Sequence, residues 1–277
     1  MDYALVLFTP PDSPDSGLDD VRLPLYFALL ELGHNVDLLQ NSISPIRRNI
    51  IFGYQDRPDI TLDSLPPDTI IYNLEQVIFR SRAMQPHYLE ALRHFPVWDY
   101  SERNIEKLRH DYGVKTITHV PLGYMPQMTK INPDYPKDID VLLYGCPCAR
   151  RTGIINELKN KGVNALLACD VFGGLRDGLI ARSRLLLNVH FHVPGILEVV
   201  RLSYLWANRI PVVSELNEDT EAPAGYEQAC VYSPYQNIVE QVLITLEDEQ
   251  LCRDLGNRGH NVFAARKYTD ILRKVLN

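Results

Sequence analysis

Short apolar runs alternate with longer amphipathic segments along this chain, which is the pattern of a protein that interleaves strands and helices. The clearest example begins at residues 185–189, an apolar run that predicts a strand buried on both faces. Apolar residues then recur at helical spacing over 196–208, with Glu198 in the first turn, and residues 210–214 predict a second buried strand. The segment is a predicted β-loop-α-β unit whose loop lies where open α/β sheets bind ligands.

A segment without periodicity divides the chain into two halves. Residues 125–137 contain three prolines and are the predicted linker between a domain at 1–127 and a domain at 138–277, whose last helices could pack back onto the first domain. The first half predicts strands at 3–8, 36–39, 69–72, 97–100 and 116–120, and helices at 18–32, 86–94 and 102–111, the last capped by Ser101. The second half adds strands at 138–144, 164–169 and 229–232, helices at 150–161, 175–184 and 236–248, and a final helix broken near 256–259.

Composition narrows the class of protein. The chain has 277 residues, of which 45% are hydrophobic and 23% charged, as in ordinary globular proteins. The formal net charge of −7 disfavours binding to nucleic acid, because the phosphate backbone is also negatively charged. Five scattered cysteines do not suggest a disulfide framework, so we expect a cytoplasmic protein. No apolar run approaches the ~18 residues of a membrane span, and no transmembrane segment is predicted.

A strand that ends in Gly145 is followed by a turn and a helix that opens with Arg150 and Arg151. Free N–H groups and the helix dipole at such an end favour an anion, and arginines can add bidentate contacts to a phosphate. The alternative is a surface helix with two basic residues at its unfavourable end. The glycines and lysine of a P-loop are missing.

Other candidates follow the neighbouring strands. Glu198 could accept two sugar hydroxyls, or it could simply stabilise the start of its helix. His190 and His192 alternate on an extended segment, so only one of them can face a ligand, and both could be ordinary hydrogen-bonded loop residues. Asp170 and Phe172 follow the adjacent strand and could contact a nucleotide base.

In the first half, Glu75 and Asp99 end neighbouring strands, so they should meet at one edge of a parallel sheet, either as functional groups or as caps. No metal site is predicted. Cys146 and Cys148 lack a second pair at zinc spacing. The Asp-x-Asp sequence at 138–140 precedes its strand instead of following it.

The motifs of the second half resemble those of group-1 type glycosyltransferases of the GT-B fold. DVLLYG, the two arginines that follow it, and ILEVVRLSYLWANRIPVVSE are similar to the donor half of that family, which carries an E-x7-E motif. ARSRLLLNVHFH, YNLEQ, VWDYS and VPLGY look closest to the bacterial spore-maturation glycosyltransferase-like group. His190 occupies the position of the first glutamate of the motif.

The resemblance implies two Rossmann-like, doubly wound domains that face each other across a cleft. The function it implies is a metal-independent, cytoplasmic hexosyltransferase, retaining by this analogy, that needs no cofactor. Its partners would be a nucleotide-diphosphate sugar as donor and an acceptor that is a saccharide, a lipid-linked molecule or a protein. The alternatives are a non-catalytic nucleotide- or sugar-binding protein on the same fold and a DNA-modifying sugar transferase, which the acidic charge disfavours.

The same resemblance assigns roles to the candidates. Glu198 would position ribose or sugar hydroxyls, and His190 or His192 would lie near the transferred sugar. Glu75 and Asp99 would orient or deprotonate the acceptor. The donor-binding set, with the diphosphate on the first three residues, is Gly145, Arg150, Arg151, Asp170, Phe172, His192, Gly195 and Ser214.

Overall fold

The structure is a computed structural model that describes residues 2–10, 17–77, 84–132, 134–191, 193, 195–218, 220, 222 and 224–276. The chain forms two compact units, Met1–Met125 with Lys267–Asn277, and Pro126–Arg266. Each unit contains one sheet whose described strands are all parallel. The predicted fold class, two α/β domains with parallel sheets, is confirmed.

The first unit is built on a six-stranded sheet with the order β2-β1-β3-β4-β5-β6. Apolar side chains of its strands pack against α2 and α3 to form a buried core. The backbone N–H of Asn104 donates to Ser101 Oγ at 3.3 Å, so the predicted cap of α3 is confirmed. The elements are β1 Asp2–Leu7, α1 Asp19–Glu31, β2 Asn35–Gln40, β3 Arg48–Phe52, β4 Ile70–Asn73, α2 Pro86–His94, β5 Val97–Asp99, α3 Glu102–His110 and β6 Ile117–His119.

The sequence pattern did not predict β3. Its apolar run, Ile50 to Phe52, is short and follows two arginines and an asparagine, so it resembles a loop. In the structure β3 lies in the middle of the sheet, with Ile50 in register with Leu5 on one side and Ile70 on the other. Both neighbours are buried, so a short strand suffices there.

The second unit is built on a five-stranded sheet with the order β11-β10-β9-β7-β8. Its core is formed by the strands together with α4 and α7. The elements are β7 Ile139–Tyr144, α4 Ala149–Asn160, β8 Ala165–Ala168, α5 Gly173–Ala181, β9 Ser183–Asn188, α6 Val199–Ala207, β10 Val212–Glu215, β11 Val231–Ser233, α7 Ile238–Glu247 and α8 Glu249–Ala264.

Two helix predictions in this unit were wrong at their ends. The helix predicted at 175–184 ends at Ala181, because Ser183 pairs with Ile139 in the sheet and Arg184 forms an ion pair with Asp140 at 3.1 Å. The helix predicted from residue 196 begins at Val199, so Glu198 is the N-cap residue and does not lie in the first turn.

Part of the predicted linker is packed onto the second unit. Met128 and Ile131 are buried. Thr129 Oγ1 donates to the Ala207 carbonyl at 2.8 Å, and the N–H groups of Lys130 and Ile131 donate to Asn208 Oδ1 at 2.6 and 2.9 Å. These contacts explain why the division between the units falls at Met125, at the start of the segment.

The break predicted near residues 256–259 was wrong, because α8 runs through both glycines. A Cβ atom on Gly256 would lie 2.2 Å from the Arg209 carbonyl oxygen, and one on Gly259 would lie 2.7 Å from Trp206 Cδ1. The glycines therefore allow α8 to approach the end of α6 closely, and the loss of helix propensity is offset by this packing.

After α8 the chain returns to the first unit as α9 Tyr268–Leu276. The Tyr268 N–H donates to the Tyr124 carbonyl at 3.1 Å, and Gly123 leaves room for Tyr268. None of the helices in the described part of the chain is long and apolar enough to cross a bilayer.

We expect Gly256→Ala to lower the free energy of unfolding by about 1–3 kcal/mol, because the added methyl group would overlap the Arg209 carbonyl. Gly178→Ala is the matched control, since Gly178 also lies inside a helix, α5, but has open space around it. The control should gain about 0.5–1 kcal/mol. Urea denaturation of the full chain measures both, and equal shifts in the two variants would contradict the packing account.

Candidate functional site

The switch point of the second sheet lies between β7 and β9, because the chain leaves β7 towards β8 and then returns to the other side. Ligands bind at such points, at the carboxyl ends of the strands. Gly145 follows β7 there with φ +126°, and its N–H donates to the Ala168 carbonyl at 2.8 Å. A Cβ atom at this position would lie 2.8 Å from Arg201 Nη2 and 3.3 Å from Arg151 Nη1. The glycine therefore makes room for two guanidinium groups.

Asn188 ends β9 on the other side of the switch point and is completely buried. Its Nδ2 donates to Glu198 Oε2 at 2.8 Å and to Ser214 Oγ at 3.0 Å. Its Oδ1 accepts from Arg201 Nη1 at 2.8 Å. One amide thus holds an anionic and a cationic side chain, and these bonds fix which end of the amide faces which group.

Glu198 lies at the N-cap of α6 with its side chain 14% exposed. Both carboxylate oxygens lie 2.9 Å from His190 Nδ1. Burial by itself would raise the pKa of Glu198, but the hydrogen bond and charge of His190, the charge of Arg201 and the hydrogen bond from Asn188 outweigh burial and hold that pKa below its ordinary value. Glu198 is therefore an ionised carboxylate with part of its surface open to a ligand.

His190 is 1% exposed, and its backbone N–H and both ring nitrogens take part in hydrogen bonds. Its Nδ1 faces Glu198, its Nε2 lies 3.1 Å from Thr220 Oγ1, and its backbone N–H donates to Glu215 Oε2 at 2.9 Å. The ring belongs to the support of Glu198 in this structure.

The two arginines at the start of α4 differ in environment. Arg151 is buried, and it donates to the carbonyls of Val189 at 2.9 Å and Cys146 at 2.8 Å. Burial, followed by the charge of Arg201, lowers the pKa of Arg151. Arg150 is 30% exposed, forms an ion pair with the buried Glu215, and stacks on the Tyr235 ring at 4.0 Å.

The other predicted donor residues are spread over the same sheet edge. Ser214 accepts from Asn188 and is buried. Gly195 is buried in the loop before α6. Asp170 is exposed with φ +54° after β8, and Phe172 is the half-buried N-cap residue of α5. His192 lies outside the described residues.

Asp99, in the first unit, is buried at the end of β5 and accepts three hydrogen bonds. The donors are Asn73 Nδ2 at 2.6 Å, the Ser101 N–H at 2.8 Å and Asn104 Nδ2 at 3.2 Å. Burial raises the pKa of Asp99 to about 7, although the three donors oppose this shift. Its neighbours enclose Asp99, which fits a residue that shapes the end of the sheet.

Glu75 is half-buried just after β4. Its Oε1 accepts from Gln55 Nε2 at 3.0 Å. Burial and the charge of Asp56 raise the pKa of Glu75 to about 7, against the opposing Gln55 hydrogen bond. A carboxylate with this pKa can take a proton near neutral pH, as a general base does.

The sequence analysis missed Arg201, Asn188, Thr220 and Glu215. Arg201 could have been found, because it follows Glu198 by three residues and so shares its helix face. Asn188 gave a weaker signal as the polar end of an apolar run. Among the described residues, no group of three or more His, Cys, Asp or Glu side chains is arranged to hold a metal ion.

No protein-family model matches the sequence. Two uncharacterized proteins of Acanthamoeba polyphaga mimivirus are similar to it, at 29% identity over 185 residues and 26% identity over 204 residues. The matches cover 63% and 69% of this chain. They span 58% of the first viral protein and 22% of the second, so this chain corresponds to only part of each.

Solved glycosyltransferase structures are similar to nearly the whole chain. WaaG, which is involved in lipopolysaccharide biosynthesis, has a TM-score of 0.62 at 12% identity, covering 99% of this chain and 98% of that one. An α-glucosyltransferase in complex with UDP and a 13-mer DNA has a TM-score of 0.61 at 10% identity, with 99% and 98% covered. A glycosyltransferase from Rickettsia africae ESF-5 has a TM-score of 0.60 at 10% identity, with 99% and 97% covered. The fold of this chain is that of GT-B glycosyltransferases.

Proposed function

We propose that this protein transfers a sugar from a nucleotide-diphosphate sugar to an acceptor hydroxyl. One observation carries the proposal: Asn188 holds the Glu198 carboxylate and the Arg201 guanidinium side by side at the switch point. A nucleotide-diphosphate sugar offers hydroxyl donors and phosphate acceptors close together, and such a pair can satisfy both.

The diphosphate would lie against Arg201 and the turn after Gly145. Negative charge on the diphosphate grows as the sugar leaves, and guanidinium groups already fixed in place stabilise that charge without reorganising. Arg151 adds positive charge from within the protein, and Arg150 would hold the adjacent turn through Glu215 and Tyr235. In this proposal the arginines supply the positive field, and no metal is needed.

Glu198 would bind hydroxyl groups of the donor. A carboxylate has about four lone-pair positions, and His190 and Asn188 use no more than three of them. The exposed part of Glu198 can therefore accept at least one ligand hydroxyl. Gly195, Ser214, Asp170, Phe172 and His192 stay candidates for the remaining donor contacts.

The first unit would bind the acceptor, with Glu75 as the group that orients or deprotonates its hydroxyl. Asp99 would fix the backbone around Glu75. The resemblance to the spore-maturation group and to retaining hexosyltransferases extends the proposal to a retained configuration, to an acceptor that is a saccharide, lipid-linked molecule or protein, and to a cytoplasmic location.

A non-catalytic nucleotide- or sugar-binding protein is the second candidate. It is favoured by His190, which stands where the related motif has a glutamate and has both ring nitrogens bonded within the protein. Incubation of purified protein with UDP-, GDP- and TDP-sugars separates the candidates. Binding without transfer or donor hydrolysis for every sugar would favour this second function.

Arg201→Gln should weaken UDP binding about tenfold or more, because it removes a charge-assisted contact to phosphate. Arg182→Gln is the control, since Arg182 pairs with Asp138 at the opposite end of the strands and is exposed. Isothermal calorimetry measures both affinities. Equal affinity of the Arg201 variant and the wild type would remove the diphosphate site.

Glu198→Gln should lower turnover of the active donor by about 100-fold or more, because the neutral amide cannot replace a fixed anion in the site. Glu157→Gln, on the exposed face of α4, should keep wild-type turnover. Circular dichroism checks that both variants stay folded. Full activity in the Glu198 variant would mean that this carboxylate has no part in transfer.

The titration of Glu75 should make the free energy of unfolding depend on pH. Its folded pKa of about 7 lies above its ordinary value of 4.5, so its contribution to stability is present below pH 4.5 and is lost as the pH rises through 7. Between these values the wild type should lose about 1–3 kcal/mol of unfolding free energy relative to Glu75→Gln. Urea denaturation at both ends of this range tests it, and parallel pH profiles would contradict the raised pKa.

A further inference from the structure

We propose that His190 is a positioning residue that fixes Glu198, with its Nδ1 proton directed at that carboxylate and the Thr220 hydroxyl holding the opposite side of the ring. The inference rests on the proposed function only in giving Glu198 a ligand to bind. Three contacts carry it, namely His190 Nδ1 to Glu198 at 2.9 Å, His190 Nε2 to Thr220 Oγ1 at 3.1 Å, and the His190 N–H to Glu215 Oε2 at 2.9 Å.

The partners of the ring decide where its protons lie. An ionised carboxylate can only accept hydrogen bonds, so the proton between His190 and Glu198 belongs to Nδ1. A hydroxyl can both donate and accept, so Thr220 Oγ1 holds Nε2 by a hydrogen bond at 3.1 Å. The ring is 1% exposed, so both of these contacts lie within the protein. Arg201, joined to Glu198 through Asn188, already supplies a positive charge close to that carboxylate.

The ring consequently has no free nitrogen for a sugar hydroxyl. Its effect on a donor must pass through Glu198, whose carboxylate is held by His190 on one side and by Asn188 on the other. Such a chain of buried bonds limits the carboxylate to one orientation. His190 would thus lie near the transferred sugar, as the sequence predicts, and act on it through Glu198.

Thr220 also links Glu198 to the segment after β10. The Thr220 N–H donates to the Asn217 carbonyl at 2.9 Å, and Asn217 Nδ2 donates to Glu215 Oε1 at 2.5 Å. Glu215 in turn accepts from the His190 N–H. The Thr220 hydroxyl and the His190 backbone are thus held by one connected group of residues. A substitution of the Thr220 side chain removes its hydroxyl and keeps the backbone hydrogen bonds of this group.

Nitrogen-15 NMR of the imidazole rings tests the proton assignment without any need for activity, with the His190 signals identified by their loss in His190→Gln. The wild type should show a protonated Nδ1, because this nitrogen faces an ionised carboxylate. Thr220→Val removes the hydroxyl at nearly constant volume and should change the Nε2 signal, whereas Thr220→Ser should restore it. An unprotonated Nδ1 in the wild type, or an Nε2 signal that Thr220→Val leaves unchanged, would overturn the assignment.

Turnover of the active donor tests the positioning role. Thr220→Val should lower turnover about tenfold, the effect of losing one buried hydrogen bond, and Thr220→Ser should stay near the wild type. Thr245→Val is the matched control, because Thr245 is also buried in the same unit and its hydroxyl donates to the Gln241 carbonyl, away from the site. Unchanged turnover in Thr220→Val would overturn the role. If the wild type transfers no sugar, the proposed function fails, while the NMR result still decides the assignment.

Discussion

The arrangement of the candidate site depends on the side-chain amide of Asn188. An amide donates only from its nitrogen and accepts only at its oxygen, so the Glu198 carboxylate and the Arg201 guanidinium cannot exchange places around it. Asn188 is completely buried, and a broken bond would leave a polar group unsatisfied at a cost of about 1–3 kcal/mol. The polarity of one side chain thereby determines where negative and positive charge lie at the end of β9.

The first unit uses a carboxylate in the same way. Asp99 accepts hydrogen bonds from the end of β4, from the residue that caps α3 and from Asn104 in the first turn of α3. Asn104 also donates to the Glu75 carbonyl at 2.9 Å. The backbone of Glu75 is therefore tied to a buried group, while its own carboxyl stays half-buried. In both units, a fully enclosed polar residue holds a partly exposed acid at the carboxyl edge of a parallel sheet.

The sequence was informative where a structure depends on neighbours along the chain. Continuous apolar runs predicted most strands, and Gly145 and Glu198 were identified because turns and helix starts have local signatures. Contacts between residues that are far apart in the sequence could not be predicted from it. Arg151 looked like a free phosphate ligand, yet it is used by the carbonyls of Val189 and Cys146. The continuity of α8 likewise depends on a distant helix, so its glycines predicted a break that does not exist.

The close packing of α8 on α6 has a consequence for the far end of α6. Trp206 lies against Gly259 and follows Glu198 by eight residues along α6. At about 1.5 Å per residue, this separation is about 12 Å along the helix axis. The neighbouring contact, in which Gly256 lies against the Arg209 carbonyl just after α6, is between backbone atoms and cannot yield as a flexible side chain would. It therefore fixes the axial position of α6, and with it the position of Glu198 at the other end of this helix.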